Sequence, residues 1–289
     1  MDDFKDKVVV VTGAGGGLGR AHALEFARRG ARLVINDLGG TADGAGQSDM
    51  ADQVVAEIRA LGGIAIANKA SVADRTGAQS IIDDAIAEYG TLDILINNAG
   101  ILRDKSFKNM TLDDWDIVIN VHLNGTAYVT HAAWPILYEK HYGRIVLTSS
   151  TSGIFGNFGQ SNYGAAKMGM IGLMNCLKIE GQKYNVFSSA VAPIAYSRMT
   201  DSLFPEGIGE RFMPEYVTPA VIYLASNESQ NGAIIGAGAG VFTRFRILET
   251  MGLALGTGDE MTPENIAAGW DSVSDMDDAR ELFSGPEQT

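Results

Sequence analysis

Tyr163 and Lys167 are the two side chains of this sequence best suited to acid–base chemistry. They belong to the segment Y-G-A-A-K and stand four residues apart, so a helix would place both on one face. A tyrosine hydroxyl has an ordinary pKa of about 10 and is a weak base at pH 7, but a neighbouring ammonium lowers that pKa. The pair therefore predicts a general acid/base for an alcohol or a carbonyl.

Ser150 is the third candidate catalytic residue. It stands thirteen residues before Tyr163, in the segment TSSTSG at the end of a predicted strand. Its hydroxyl is placed to hydrogen-bond the oxygen on which the pair would act. A Y-x-x-x-K pattern is common by chance, and the serine makes the catalytic interpretation more specific.

A glycine-rich loop follows the first predicted strand. The segment TGAGGGLG supplies Gly13, Gly15, Gly17, Leu18 and Gly19 between that strand and a helix. A strand, a glycine turn and a helix N-terminus present backbone N–H groups that suit a pyrophosphate. We interpret the loop as a nucleotide site; the alternative is a turn that serves packing alone.

Asp37 ends the second predicted strand, 20 residues after Gly17. A carboxylate at this position accepts hydrogen bonds from both hydroxyls of the adenosine ribose and repels a 2′-phosphate, so the expected cofactor is NAD. In the alternative interpretation Asp37 only caps the turn before Leu38. Arg20 could favour NADP, but it falls at the helix start and is not expected to reach a 2′-phosphate.

Short apolar runs alternate with longer segments of helical periodicity. The runs predict strands at 8–12, 32–37, 64–68, 92–97, 144–149 and 186–191. The periodic segments predict helices at 18–29, 50–61, 74–89, 112–138, 163–182 and 218–226. Apolar strands that alternate with helices indicate a parallel sheet with right-handed crossovers. The predicted fold class is α/β: a doubly wound parallel sheet of Rossmann type, as a single domain with a C-terminal extension.

The composition excludes several classes of function. With 35 acidic and 22 basic residues among 289, the net charge is −13, which disfavours nucleic acid and anionic membranes as partners. Cys176 is the only cysteine, so a disulfide within the chain and a multi-cysteine metal site are both excluded, and no metal is expected. No apolar stretch is long enough to predict a transmembrane helix.

The acidic residues concentrate at the end of the chain. Residues 257–289 hold nine acids and one base, a net charge of −8. We expect residues 1–240 to form the dinucleotide-binding and catalytic domain. Residues 241–289 would form an acidic extension packed on that domain or on its dimer partner, with Thr262 capping a short helix. The alternative is a solvated tail.

The motifs together resemble the classical short-chain dehydrogenases/reductases. The matching segments are TGAGGGLG, NNAG at 97–100, Ser150 and the Tyr163/Lys167 pair. The resemblance narrows to the (3R)-hydroxyacyl-CoA dehydrogenase modules of peroxisomal multifunctional enzymes of type 2, also called 17β-hydroxysteroid dehydrogenases of type 4. The segments NNAGILRDKSF, TSSTSGIFGNFGQSNYGAAK and MTPENIAAGW carry this likeness.

The resemblance implies a role for each matching residue. Tyr163 would take the alcohol proton, Lys167 would hold the nicotinamide ribose and lower the pKa of the tyrosine, and Ser150 would steady the developing carbonyl oxygen. Further residues would bind NAD: Asn98, Ala99 and Gly100 at the ribose, Ser71 and Val72 at the adenine, and Pro193, Ala195, Ser197 and Arg198 at the carboxamide. The family usually has glycine where Ile194 follows Pro193.

His122 departs from the family pattern. The family carries a catalytic asparagine in a V-N-L-x-G context, and this sequence reads Val121-His122-Leu123-Asn124-Gly125. A histidine could anchor a water in a proton relay to Lys167 and titrate near neutrality. The alternative is a structural histidine bonded to the backbone.

The resemblance implies a (3R)-hydroxyacyl-CoA, with a fatty or a steroid side chain, as the substrate. A free ring hydroxyl of a steroid is the alternative, and a non-catalytic nucleotide-binding protein is a third. We expect an apolar pocket formed by Ile154, Phe155, Phe158, Tyr196, Met199, Leu203, Phe204 and Met213. Cations for coenzyme A would come from Arg103, Lys105, Lys108, Arg198, Arg244 and Arg246.

Assembly and location complete the expectations. The segment 165–179 is apolar nearly all round, and the family associates through two long helices, so a homodimer or homotetramer is expected; the alternative is a deeply buried helix. The last three residues are not a peroxisomal address, and no second domain follows, so we expect a free-standing cytoplasmic enzyme.

Overall fold

The computed structural model describes residues 4–196, 207 and 209–288. Its centre is an eight-stranded sheet, ordered β3-β2-β1-β4-β5-β6-β7-β8. The strands are β1 (Val8–Thr12), β2 (Arg32–Asn36), β3 (Ile64–Asn68), β4 (Ile94–Asn97), β5 (Gly143–Thr148), β6 (Val186–Pro193), β7 (Ile234–Gly238) and β8 (Val241–Phe245).

Helices connect the strands. They are α1 (Gly17–Arg28), α2 (Met50–Ala60), α3 (Arg75–Tyr89), α4 (Leu112–Ile119), α5 (Gly125–Lys140), α6 (Thr151–Phe155), α7 (Ser161–Gly181), α8 (Thr218–Leu224), α9 (Pro263–Ala268) and α10 (Trp270–Ser274). A π turn, Asn120–Asn124, joins α4 to α5. Short 3₁₀ turns cover Gln182–Tyr184, Gly209–Phe212, Pro214–Tyr216 and Gly285–Gln288.

The strands β1 to β7 pair in parallel, which confirms the doubly wound α/β prediction. Val10 of β1 lies between Val34 of β2 and Leu95 of β4, and all three are fully buried. A strand that is covered on both faces must be apolar throughout, which explains its uninterrupted apolar run. The chain order reverses between β1 and β4, and a crevice opens there at the carboxyl ends of the strands.

Two parts of the sheet region differ from the predicted elements. The single helix predicted at 112–138 is two helices separated by the π turn, because hydrophobic periodicity does not register one extra residue. The strands β7 and β8 were not predicted. The sequence of β7, IIGAG, is too rich in glycine to resemble a strand.

The chain divides into two compact units, residues 1–244 and 245–289. Within the second unit, Thr262 accepts a hydrogen bond from the N–H of Asn265 and caps α9, which confirms the predicted cap. Glu249 and Arg280 exchange backbone hydrogen bonds of 2.9 Å. In the described part of the chain, no helix is long and apolar enough to cross a membrane. Where the second unit packs stays a prediction.

Candidate active site

A cavity of about 420 Å³ lies at the carboxyl ends of the central strands. It brings together most of the residues that the sequence predicted for the site. Those that line it are Gly13, Gly17, Leu18, Asp37, Ser71, Val72, Asn98, Ala99, Gly100, His122, Ser150, Tyr163, Lys167, Pro193 and Ala195. Gly15 and Gly19 do not line it but lie against Asp37 and the backbone of Gly13, respectively, and Ser197 and Arg198 lie outside the described residues.

The glycine loop has the shape of a phosphate cradle. Gly13 and Gly17 have φ angles of 63° and 50°, which side chains other than glycine rarely adopt. A Cβ at Gly19 would lie 2.2 Å from the carbonyl oxygen of Gly13, so α1 can approach the loop only with glycine there. Gly16, the N-cap of α1, offers no side-chain bond to the first N–H groups of the helix. These groups are available to a pyrophosphate.

Asp37 lies in the cavity just beyond the end of β2. Its carboxylate accepts hydrogen bonds from the N–H groups of Gly15 and Gly39, both at 2.7 Å. Arg20 points elsewhere, because its guanidinium forms two bonds, of 2.9 and 2.5 Å, with Glu57. The structure thus agrees with the expectation that Arg20 does not serve the nucleotide.

The segment Asn98-Ala99 ties the glycine loop to the sheet. The N–H groups of both residues donate to the Thr12 hydroxyl, at 3.0 and 3.1 Å. The side-chain amide of Asn98 donates to the carbonyl oxygens of Thr12 and Gly13, both at 3.0 Å. Asn98 therefore fixes the loop, in addition to lining the cavity.

Ser150, Tyr163 and Lys167 meet at the inner end of the cavity. The Ser150 hydroxyl hydrogen-bonds the Tyr163 hydroxyl and accepts a bond of 3.1 Å from the N–H of Ser152. The Lys167 ammonium lies 5.4 Å from the centroid of the Tyr163 ring and donates to the carbonyl oxygen of Thr148. Ser150 is the N-cap of α6, and Tyr163 and Lys167 lie on the first two turns of α7, so the starts of these two helices position the three side chains.

The pKa of Tyr163 is raised and not lowered as the sequence predicted, because burial dominates the acid–base properties of this group. Desolvation raises the pKa of Tyr163 to about 12, the Ser150 hydrogen bond opposes the rise, and the negative charge of Asp104 adds to it. Desolvation lowers the pKa of Lys167 to about 7. Near neutral pH the lysine thus loses or gains a proton readily, and its charged form favours ionisation of the nearby tyrosine.

His122 lies on the π turn, against Tyr163. The two rings stand edge to face, with their centroids 5.1 Å apart. Its Nε2 is 2.7 Å from the carbonyl oxygen and 3.0 Å from the N–H of Ile101. A Cβ at Gly100 would lie 2.3 Å from the ring, so this close approach requires glycine.

His122 does not titrate near neutrality, contrary to the prediction from the sequence. Its burial, with the charge of Lys167 as a second cause, lowers its pKa to about 3, so the ring is neutral at pH 7. Its Nδ1 is buried and has no hydrogen-bond partner among the described residues. The bonds of Nε2 to the backbone of Ile101 are those expected of a structural histidine, and a buried polar atom such as Nδ1 usually bonds a water.

Sequence reasoning missed a set of three polar residues beside Tyr163. Gln160, almost fully buried, donates from its side-chain amide to Asp104 at 2.6 Å. Its amide oxygen accepts from Asn157 at 3.1 Å. The only available signal was that Asn157 and Gln160 belong to the motif that contains the catalytic tyrosine.

The predicted apolar pocket is largely absent from this cavity. Phe155 and Phe158 are 74% and 90% exposed and do not line it, because they lie at the last residue of α6 and in the exposed turn that follows. The cavity is lined instead by the apolar side chains of Leu18, Leu38, Ile101, Leu102, Ile117, Val121 and Ile194. Met199, Leu203 and Phe204 lie outside the described residues.

Most of the cations expected to bind coenzyme A have protein partners. Lys105 donates to Asp114 at 2.7 Å, and Arg103 lies 4.0 Å from the same carboxylate. Arg244 bonds Gln230, and Arg246 pairs with Glu281.

Comparison with known proteins identifies the family. Residues 7–206 match the family model of the short chain dehydrogenases. The chain belongs to this family. It is therefore an oxidoreductase with the Rossmann-type fold of the short-chain dehydrogenases, a family that generally binds NAD(P).

Three similar proteins differ in how much of their own length this chain covers. The peroxisomal hydratase-dehydrogenase-epimerase of Neurospora crassa is 48% identical over 276 residues, which are 94% of this chain and 30% of that protein. The full-length peroxisomal multifunctional enzyme type 2 of Drosophila melanogaster superposes with a TM-score of 0.82 at 38% identity, covering 99% of this chain and 48% of that one. A short chain dehydrogenase from Mycobacterium avium gives 0.81 at 37%, covering 94% and 96%. The chain thus spans about a third, a half and nearly all of these relatives.

Proposed function

We propose that this short-chain dehydrogenase oxidises the hydroxyl of a (3R)-hydroxyacyl-CoA to the 3-ketoacyl-CoA, with NAD as the hydride acceptor. The observation that carries the proposal is the meeting of Ser150, Tyr163 and Lys167 in one cavity with the glycine loop and Asp37. The substrate class rests on the resemblance of the sequence motifs to (3R)-hydroxyacyl-CoA dehydrogenase modules, and nearly the whole chain is similar to part of peroxisomal multifunctional enzyme type 2.

The catalytic residues divide the work of alcohol oxidation. Ser150 holds the substrate oxygen by a hydrogen bond, and Tyr163 in its ionised form takes the hydroxyl proton. Lys167 stabilises that ionised form by its charge. When bound, the nucleotide supplies the acceptor for the hydride that leaves the same carbon. In the reverse direction, Tyr163 returns the proton to the oxygen.

Asp37 supports NAD over NADP. Its carboxylate lines the cavity together with the glycine loop, and each oxygen can still accept a further bond, so it would hold the hydroxyls of an adenosine ribose. A 2′-phosphate there would meet a negative charge. Arg20 cannot offset that charge, because Glu57 holds it.

His122 supports the catalytic group by anchoring a proton relay. Its ring contacts Tyr163, and its Nδ1, which has no partner in the part of the chain that the structure describes, can bond a water. Because the ring is neutral at pH 7, it adds no positive charge beside Tyr163.

Two further proposals concern assembly and location. Met168 and Ile179 of α7 are each 42% exposed, which supports a homodimer or homotetramer built on this helix with α5. Residues 241–289 would pack on the domain or on the partner subunit. A cytoplasmic location stays a prediction, since two of the relatives are named as peroxisomal enzymes.

The experiment that tests the function compares hydroxyl substrates. Purified protein is incubated with NAD and, separately, with (3R)- and (3S)-hydroxyacyl-CoA thioesters and with free hydroxysteroids, and NADH formation is followed by absorbance. We expect turnover of the (3R) thioesters. Turnover of a free steroid hydroxyl alone would select the alternative function, and no reduction with any thioester would refute the proposal.

A further inference from the structure

The polar side of the cavity is built by two loops that are joined to each other. Asn157–Gln160 forms a turn, in which the N–H of Gln160 donates to the carbonyl oxygen of Asn157 at 3.2 Å. The loop that contains Asp104 is held to this turn, because the N–H of Lys105 donates to the carbonyl oxygen of Gly159 at 2.9 Å. The hydrogen bond between Gln160 and Asp104 closes the same contact.

These contacts determine which way each amide faces. A carboxylate only accepts hydrogen bonds, so the NH₂ group of Gln160 must face Asp104 and its oxygen must face Asn157. Each NH₂ group has two hydrogens and uses one in these bonds. Within the described part of the chain, Asn157 and Gln160 therefore each keep one amide hydrogen without a protein partner, in side chains that line the cavity with Tyr163.

Asp104 brings a negative charge that its neighbours do not neutralise. The adjacent cations, Arg103 and Lys105, are directed to Asp114. In the described residues Asp104 forms no ion pair, and its hydrogen bond comes from the neutral amide of Gln160. Its charge is felt at Tyr163 and thus at the site where the substrate reacts.

A 3-hydroxyacyl ester has two oxygens that such a site can distinguish. The hydroxyl on C3 must reach Ser150 and Tyr163, and the carbonyl oxygen on C1 is one methylene away. In an ester or thioester that carbonyl is neutral and accepts hydrogen bonds, whereas in a free acid it belongs to a carboxylate.

We propose that the amides of Asn157 and Gln160 bind the C1 carbonyl oxygen of the substrate, and that Asp104 restricts the site to uncharged acyl esters. Asp104 acts as a positioning residue, since it orients Gln160, and its charge repels free 3-hydroxy acids. This inference rests on the proposed function and names the chemical feature of the substrate that the site recognises.

The test uses two small 3-keto compounds that differ in charge. Reduction of the acetoacetyl thioester of N-acetylcysteamine and of free acetoacetate is followed by loss of NADH absorbance, and kcat and KM are determined for each. We expect the wild-type enzyme to prefer the thioester by at least about 100-fold in kcat/KM, because the acid would place two like charges close together.

The variants separate charge from hydrogen bonding. Asp104→Asn should reduce the preference about tenfold by improving acetoacetate, whereas Asp104→Glu should retain it. Gln160→Met should raise the KM for the thioester about tenfold with little change in kcat. Asn157→Ala should also raise the KM for the thioester, and because Asn157 lies in an exposed turn, this substitution leaves no cavity in the protein interior. Gln79→Met, which removes an exposed amide bonded to Asp83 on α3, should change neither value.

The outcomes distinguish a failure of this inference from a failure of the proposed function. Thermal melting confirms that each variant is folded. This inference alone would be overturned if the wild-type enzyme reduces the thioester but one of two results is found. The first is an unchanged preference for the thioester in Asp104→Asn, and the second is an unchanged KM for the thioester in both Gln160→Met and Asn157→Ala. A wild-type enzyme that reduces neither compound would refute it together with the proposed function.

Discussion

Replacing Asp37 by serine should change the cofactor preference of the enzyme. In the structure both oxygens of this carboxylate face N–H groups of loops that surround the cavity, at Gly15 and Gly39. A serine removes the charge and one of the two acceptor oxygens, and it is small enough for the space between these loops. The substitution therefore removes the charge together with one of the two loop contacts, at Gly15 or at Gly39.

The magnitude follows from two effects of opposite sign on the two nucleotides. Loss of charge-assisted hydrogen bonds to the ribose hydroxyls should weaken NAD by about 2 kcal/mol. Removing a unit charge about 5 Å from a 2′-phosphate relieves about 3 kcal/mol of repulsion per phosphate charge, at an effective dielectric constant of about 20. Together they should lower the preference for NAD over NADP by at least about 10³-fold.

The assay measures the dissociation constants of NAD and NADP by calorimetry and the ratio of their kcat/KM values. Asp43→Ser is the matched control, since Asp43 is an acid of the same loop that bonds Thr41 and the N–H of Ala45. It should leave the preference unchanged. Glu57→Gln, which loosens Arg20, should also leave it unchanged if the arginine is misdirected as the structure indicates.

Retention of the wild-type preference by Asp37→Ser would show that this carboxylate does not face the ribose. An equal change in Asp43→Ser would show that loop order, and not local charge, sets the preference. Either result would refute the reasoning from Asp37 to NAD.

Further predictions concern the catalytic group. Tyr163→Phe should reduce kcat at least about 10³-fold, and His122→Ala by a smaller factor of about 10 to 100, because the histidine acts through a relay; equal losses in steady-state kinetics would contradict this order. Asp104→Asn should move the rising limb of the pH profile for alcohol oxidation to lower pH, since the carboxylate raises the pKa of Tyr163. The groups that face that tyrosine, Lys167 and His122, remain in the variant, and an unshifted limb would show that the charge does not reach it. Lys167→Met should stabilise the protein most below pH 7, by up to about 5 kcal/mol, because the buried lysine with its pKa lowered to about 7 is destabilising while charged. The gain in stability should shrink between pH 7 and 10.5, because in this range Lys167 is protonated in the unfolded wild-type chain but not in the folded one. A difference in the free energy of unfolding that stays constant with pH would contradict this prediction.

Hydrophobic patterning predicted the interior of the sheet well. The strands β1 to β6 lie within two residues of their predicted bounds, because a strand covered on both faces is mostly apolar, as in the four valines that begin β1. The strand β7 had no such signal, since three of its five residues are glycine or alanine. Its pairing with β6 depends on the neighbouring strand and not on local propensity.

The candidate site was predictable where residue type and spacing carry the chemistry. Tyr163, Lys167 and Asp37 lie in the cavity as their spacing indicated. Asp104 and Gln160 could not be inferred in this way, because they meet across 56 positions of the chain through a contact between two loops. The neutral state of His122 likewise depends on its burial, which no local pattern reports.

The π turn between α4 and α5 holds one residue more than an α-helical turn would need. That surplus advances every later position by about 100° around the axis. The π turn therefore allows two orientations to be met at once. His122 on the turn contacts the tyrosine, and Val129, Ala133 and Leu137 on α5 are buried. Deleting a single residue of the π turn would rotate one side of it relative to the other, so that either the contact of His122 with Tyr163 or the burial of the apolar face of α5 would be lost.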